Sequence, residues 1–227
     1  MRGMDAIVLA GGKEAWARGP KALYPYRGRP LADWVLSALK GAGLRVVYVG
    51  EDRGLSVRPD LVLPDTGGIL ENLVSALPHT QSRVLVCTAD LPYLTREAVE
   101  FVLGQDPKAA LVYTIVPKEA VEAQFPGSKR TYARLREGVF TGGNLLLLDR
   151  GLFEKALPLA KKVVALRKKP LALARLVGLD ILVLYLLGRL SLGHLEARAQ
   201  RILGLEARAL IVPYAEVGMD LDRPGVS

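Results

Sequence analysis

Over its first half the chain alternates short apolar runs with amphipathic runs of helical period, and that alternation leaves few folds open to it. DAIVLA, LRVVYVG, PDLVLPD and SRVLVCTAD read as strands, and RPLADWVLSALKGAG, GGILENLVSAL and TREAVEFVLGQ as helices set among them. Gly43 is placed to end the first helix, and the Thr95 hydroxyl to cap the third. Strands apolar along their length need cover on both faces. This predicts an α/β fold, a mostly parallel mixed sheet of Rossmann-like type with helices on both faces. AALVYTIVPK continues the strands, and RTYARLREG and FTGGNLLLLDR read as two more joined across a turn at Gly138. From Gly151 helical patterns run almost unbroken until EARALIVPY returns to a strand. Residues 1–227 therefore read as one domain with a helical insertion at 151–204.

Half of the 227 residues are hydrophobic and 24% are charged, which suits a packed core and argues against disorder. The net charge of +8 fits a partner bearing phosphates or an acidic surface, without choosing between a nucleotide, RNA and a membrane. Cys87 is the only cysteine, so no disulfide forms within the chain, and inside VLVCTAD it reads as a small buried hydrophobe. The apolar run near the N-terminus is too short for a signal peptide or a membrane span, which points to a cytoplasmic protein.

Three constellations carry chemistry. The first strand leaves into Gly11 and Gly12, with Lys13, Arg18 and Lys21 close behind. Such a turn lets backbone N–H groups converge on an anion, and the basic side chains match its charge. It lacks the G-x-G-x-x-G of a dinucleotide loop and the G-K-[ST] of a Walker A loop, and read alone it fits a phosphate cradle or a tight structural turn equally. In CTADLPYLT, Asp90 stands at the carboxyl end of an apolar strand, the edge where open α/β sheets bind ligands. It is placed to hold a divalent cation; the alternative is a turn or capping residue. In GMDLDRPGVS, Asp220 and Asp222 point the same way if the segment is extended, and either serves as a second oxygen ligand unless the segment is a solvated tail.

Read jointly, these runs resemble the MobA-like nucleotidyltransferase family. The resemblance lies in L-A-G-G at Leu9, Ala10, Gly11 and Gly12, in Arg18 and Gly19, in P-K-x-L at 20–23 and G-R-P-L at 28–31, in the D-x-P that Asp90 begins, and in the late D-x-D-x-P at 220–224. The family includes molybdopterin and phospholactate guanylyltransferases and the cytidylyl- and uridylyltransferases of sugar and isoprenoid pathways. The resemblance implies the GT-A type fold of nucleotide-diphospho-sugar transferases. It also implies transfer of a nucleoside monophosphate from a triphosphate, GTP or CTP, to a small phosphorylated acceptor, with release of pyrophosphate and dependence on Mg²⁺. By the same resemblance Arg18, Lys21 and Asp90 are the catalytic residues, Asp90, Asp220 and Asp222 the cation ligands, and Leu9 to Lys13, that is Leu9, Ala10, Gly11, Gly12 and Lys13, the triphosphate loop.

PDTGGILENLVSAL resembles the family's base-recognition loop and nominates Gly67, Gly68 and Asn72; FTGGNLLLL resembles its acceptor-side segment and nominates Gly142, Gly143 and Asn144, glycines that fit turn positions as well. Attack by a phosphate oxygen needs no general base, in keeping with only two histidines, His79 and His194, both outside the signature loops. A glycosyltransferase of the same fold would carry D-x-D on a mid-chain strand, where TADLP has one aspartate. A non-catalytic nucleotide- or RNA-binding module fits the net charge, but few aromatics accompany the basic residues, so no stacking platform for nucleic acid is visible.

The run 176–187 is almost wholly apolar, carries Asp180, and is bracketed by Arg175 and Arg189. A bilayer span needs about twenty apolar residues, so crossing a membrane is not expected. Burial, as core or as a lid over the acceptor, is the default expectation; a homodimer interface and contact with a membrane surface or a lipid-linked acceptor are the alternatives. Lys161, Lys162, Arg167, Lys168 and Lys169 precede it, as a solvated face or as a grip on acceptor phosphates or anionic headgroups.

Overall fold

The structure, a computed structural model, describes residues 4–14, 17, 19–166, 176 and 178–221. In chain order the main elements are β1 (Met4–Leu9), α1 (Leu31–Gly41), β2 (Arg45–Val49), β3 (Leu61–Leu63), α2 (Ile69–Ala76), β4 (Arg83–Thr88) and α3 (Arg96–Gly104). There follow β5 (Leu111–Pro117), α4 (Lys118–Gln124), β6 (Ala133–Leu135), β7 (Gly138–Asp149), α5 (Arg150–Leu166), α6 (Leu179–Leu186), α7 (Leu192–Leu203) and β8 (Ala207–Ile211).

All eight strands share one sheet in the order β8-β5-β7-β4-β1-β2-β3, with β6 paired to β7. The β1–β2, β1–β4, β2–β3 and β5–β8 pairings are parallel, and β7 runs antiparallel to β4, β5 and β6. The expected mostly parallel mixed sheet is the one observed. Its centre is β1, where Ile7 sits beside Val47 on one side and Val86 on the other, and where Ala6, Ile7 and Val8 are fully buried.

Helices cover both faces because the strand side chains alternate between two cores. Val8, Tyr48 and Leu85 pack on one face with α1 and α3, through Val35, Leu36, Val99 and Val102. Ile7, Val47 and Val86 pack on the other with α2 and α5, through Leu70, Leu73, Phe153 and Ala160. Thr95 caps α3, its hydroxyl accepting the Ala98 N–H at 3.2 Å. Cys87 is buried as expected, and burial, with Asp90 adding to it, pushes its thiol up. The turn expected at Gly138 joins β6 to β7, with Leu135 paired to Gly138.

Two features depart from expectation. Helix α4 begins at Lys118, the last residue of the expected strand AALVYTIVPK, and fills a stretch to which the sequence reading assigns nothing before Arg130; KEAVEAQ is too short to show a period of its own. The expected burial of 176–187 is the second. Within it Ile181 is buried, while Leu179, Val183, Leu186 and Leu187 stand more than half exposed. A helix apolar on every side cannot bury every side against one sheet edge, and α6 packs only the stripe of Ile181 and Leu184. No helix among the described residues is long and apolar enough to cross a membrane. Lys161 and Lys162 are exposed on α5; Arg167, Lys168, Lys169 and Arg175 lie outside the described residues.

Candidate active site

The site lies at the carboxyl edge of the sheet, where β1 and β4 end side by side. Ala10 is tied to the neighbouring strand by its N–H to the Val49 carbonyl at 2.8 Å, and the chain then turns through Gly11 and Gly12. It returns as a short antiparallel ribbon that pairs Lys13 with Pro20, and the Lys21 N–H closes the loop on the Gly12 carbonyl at 2.9 Å. This closure delivers the Lys21 side chain to β4. Its ammonium donates to Asp90 Oδ2 at 2.6 Å, in a pair whose side chains are only 12% and 17% exposed.

Gly11 is required by a close approach. A Cβ there would fall against the Asp65 carboxylate and 2.7 Å from Asn72 Nδ2. Those two side chains form the opposite wall of a cleft of about 500 Å³. Buried Asn72 donates to Asp65 Oδ1 at 2.8 Å and accepts both the N–H and the hydroxyl of Thr66 at 2.7 Å. The Asn72 amide, then the Gly67 N–H and Lys13, hold the Asp65 carboxyl below the usual carboxylate range. The loop 65–68 is thereby fixed at the start of α2, whose first turn faces the cleft through Gly67, Gly68 and Ile69.

Of the residues singled out in the sequence, Leu9, Ala10, Gly11, Gly12, Lys13, Lys21, Gly67, Gly68, Asn72 and Asp90 all line this one cleft. Arg18 and Asp222 lie outside the described residues.

Asp220 reaches the same edge. Leu221, its neighbour, donates its N–H to the Asp90 carbonyl at 2.9 Å. The turn before it is anchored twice more: Asn144 Nδ2 donates to the Val217 carbonyl at 3.1 Å, and the Thr95 hydroxyl donates to buried Glu216 at 2.7 Å. Arg130, which the sequence reading passed over, donates to Asp220 Oδ1 at 2.7 Å. No sequence signal marks it beyond one more basic residue in SKRTY. Among the described residues no three acidic, histidine or cysteine side chains gather as a cation site. Asp90 Oδ1, however, is buried without a hydrogen-bond partner, an acceptor left open in a polar setting.

Gly143 and Asn144 do not line the cleft. They sit in β7 where its register with β5 shifts between Gly142 and Leu146, a bulge that Thr114 plugs by bonding both the N–H and the carbonyl of Leu145. A Cβ at Gly143 would strike Thr114, and one at Gly142 the Tyr113 hydroxyl.

A family model for the MobA-like NTP transferase domain matches residues 6–173, which carry the glycine loop, Asp90 and the loop 65–68 together. The chain belongs to the MobA-like NTP transferase family. The chain is 33% identical, over 99 residues, to the molybdenum cofactor guanylyltransferase of Xanthomonas euvesicatoria, a match covering 41% of this chain and 50% of that protein. The chain thus spans about half the length of the curated relative it matches. A hypothetical transferase from Thermus thermophilus superposes with TM-score 0.96 at 69% identity, over 100% of this chain and 99% of the other. The 2-C-methyl-D-erythritol 4-phosphate cytidylyltransferase of Thermus thermophilus shares the fold at 17% identity, with TM-score 0.55, over 97% of this chain and 93% of that one.

Proposed function

We propose that this transferase moves a nucleoside monophosphate from GTP or CTP to a small phosphorylated acceptor and releases pyrophosphate. The observation that carries the reading is the ion pair of Lys21 with Asp90, closed over the Gly11–Gly12 turn and beside the tethered Asp220. In the reaction an acceptor phosphate oxygen bonds to the α-phosphorus while the α-phosphorus–oxygen bond to the β-phosphate breaks, and that oxygen leaves with the electron pair. The acceptor arrives as a phosphate and is already a competent nucleophile, so the protein's work is alignment and charge.

Gly11, Gly12, Lys13 and Lys21 line the cleft where the triphosphate would lie, and their backbone N–H groups and ammonium groups would meet its charge. Arg18 would add a charge from the same loop. Gly67, Gly68 and Asn72, at the start of α2, would face the base; Gly143 and Asn144 would stand toward the acceptor. The donor set of two carboxylates, one with a buried oxygen lacking a partner, fits Mg²⁺, which Asp90 and Asp220 would hold with Asp222 as a further ligand. That cation would offset the repulsion between the two approaching phosphates. Residues 1–227 act on this reading as one domain, with 151–204 as its helical insertion.

Thermal shift with each of the four nucleoside triphosphates, with and without Mg²⁺, tests the proposal. A cation-dependent gain for one triphosphate, lost in Asp90→Asn, is expected. No gain with any of them would overturn it.

A further inference from the structure

A second cavity, of about 390 Å³, lies between α7 and the face of the sheet at β5, β7 and β8. Its wall is almost entirely hydrocarbon: Ile115, Leu135, Phe140, Leu195, Ala199 and Ala209. The charged groups at its rim are spent on each other. Glu196 accepts the Ala209 N–H at 2.8 Å and the Arg208 guanidinium at 3.2 Å. Water in such a space finds few partners, whereas an apolar group loses nothing by entering.

Tyr113 and Gly142 line the cavity. The Tyr113 hydroxyl reaches over Gly142, where only a glycine leaves room, and has no hydrogen-bond partner among the described residues. Across the strand backbone, Gly218, two positions before Asp220, packs on Val116 and Thr141, with the Gly142 carbonyl oxygen 3.6 Å from where a Gly218 Cβ would stand. Tyr113 is 47% exposed; partial desolvation raises its phenol above the ordinary pKa, with the Arg130 charge opposing and the Asp220 charge adding to the rise. Apolar surface also continues beyond the cavity. Ile115, Leu135 and Phe140 pack on Ile181 of α6, whose outer side leaves Leu179, Val183 and Leu186 exposed.

We propose that the acceptor is amphiphilic: a phosphate ester whose hydrocarbon part occupies the cavity under α7 while its phosphate lies at Arg130, with the Tyr113 hydroxyl between the two. This rests on the transferase reading, and it names the substrate class that reading leaves open. Neither the cleft at Gly11 nor the nucleotide is needed to fill the cavity, so the two ideas fail separately.

The test uses the full chain and a series of alkyl phosphates from butyl to decyl, below their micelle concentrations, followed by calorimetry beside GTP and CTP with Mg²⁺. Binding to one site is expected to tighten by about fourfold at most for each added methylene. Ala199→Trp and Ala209→Phe, which fill the cavity from opposite walls, should each abolish that dependence, while the nucleotide-induced thermal shift reports that fold and cleft persist. Vesicles of phosphatidylcholine and phosphatidic acid separate two sources of such a chain. Sedimentation with vesicles that both filled variants lose places the acceptor in a bilayer, and decyl phosphate bound without sedimentation makes it a free amphiphile; both support the cavity. Nucleotide binding with no chain-length dependence, or one that survives both filled variants, overturns the inference. Failure of every triphosphate to bind overturns instead the reading on which it rests.

Discussion

The two glycines that end β1 look alike in sequence and are required for different reasons, and replacing each by alanine separates them. A Cβ at Gly11 would meet Asp65 and Asn72, whereas one at Gly12 meets nothing within 4 Å. In Gly11→Ala the Asp65 carboxylate must swing away, which breaks its bonds from Asn72 Nδ2 at 2.8 Å and from the Gly67 N–H at 2.9 Å. Asp65 is exposed and finds water; Asn72 is 3% exposed and does not. The cost is therefore that of one buried amide donor left unpaired, about 1–3 kcal/mol, partly offset by the lower entropy of the unfolded chain. For a domain of this size that lowers Tm by about 2–10 °C. Gly12→Ala carries only the offset, so its Tm should hold or rise by a degree or two. Its nucleotide affinity should nevertheless fall, because a methyl group then stands where, on the proposed function, the phosphates would approach the backbone. Scanning calorimetry gives the first quantity and nucleotide titration the second. Adding Asn72→Ala to Gly11→Ala should cost less than the sum of the two single changes, since the clash is then partly relieved. Equal Tm values for Gly11→Ala and Gly12→Ala, or a fully additive double variant, would refute the assignment of Gly11 to close packing.

Three further outcomes follow from the same geometry. Lys21→Ala and Asp90→Asn should each lower the rate of pyrophosphate release by about a hundredfold or more while far-ultraviolet circular dichroism is unchanged; near-normal rates in both would dismiss the phosphate-edge reading. Thr95→Val removes both the cap of α3 and the partner of buried Glu216. It should cost about 2 kcal/mol and slow turnover by loosening the turn that carries Asp220, with Thr95→Ser restoring both; calorimetry and pyrophosphate release report the two effects, and loss of stability without any kinetic effect would detach Glu216 from the site. Burial alone would raise the Asp106 carboxyl, but the Arg83 guanidinium and the Lys108 N–H outweigh it and hold the group below its ordinary 3.8. A depressed carboxyl stabilises the fold above that value and loses its contribution as pH falls through the lower native one. Chemical denaturation of Asp106→Asn should thus show a weaker pH dependence below pH 4 than the parent, and identical slopes would exclude the pair as a source of acid sensitivity.

The parts of this molecule that were legible in sequence are those set by local period and by edge position. Strands β1, β2 and β4 are runs of apolar residues that only a covered sheet can hold, and Asp90 sits at the carboxyl end of one of them. Arg130 was not legible, because its meaning comes from Asp220, a partner distant in sequence that the fold alone brings near. Asp65 was hidden for a related reason: it reads as a turn residue in LPDTGG, and its use as the wall against Gly11 depends on where Asn72 places it. The diglycine of β7 gave the right impression of a special backbone and the wrong impression of a turn, since a bulge inside a strand and a turn between strands ask for the same residue type. Composition misled outright at α6. Hydrophobicity around a whole helix argues for burial only if elements exist on every side of it, and the sheet supplies one.

What assembles the two carboxylates is the direction of a single strand. Because β7 runs antiparallel between β4 and β5, it starts at the ligand edge and places Asn144 there, one position before Leu145 pairs with Cys87. β5 and β8 run parallel to each other, and both finish at that edge, where the Val212 N–H joins the Ile115 carbonyl at 2.8 Å as the chain leaves β8. The segment after β8 therefore emerges beside the end of β5 and crosses that end and the start of β7 to meet β4. Asn144 and Thr95 hold that crossing at Val217 and Glu216, and Leu221 completes it on Asp90. Had β7 been parallel, its glycine bulge and Asn144 would lie at the amino end of the sheet, and nothing would catch the returning chain. The place of Asp220 at the carboxyl edge is thus a product of strand order. A substitution that weakens the β7 bulge, far from the glycine loop in sequence, acts on the same edge as one in the loop itself.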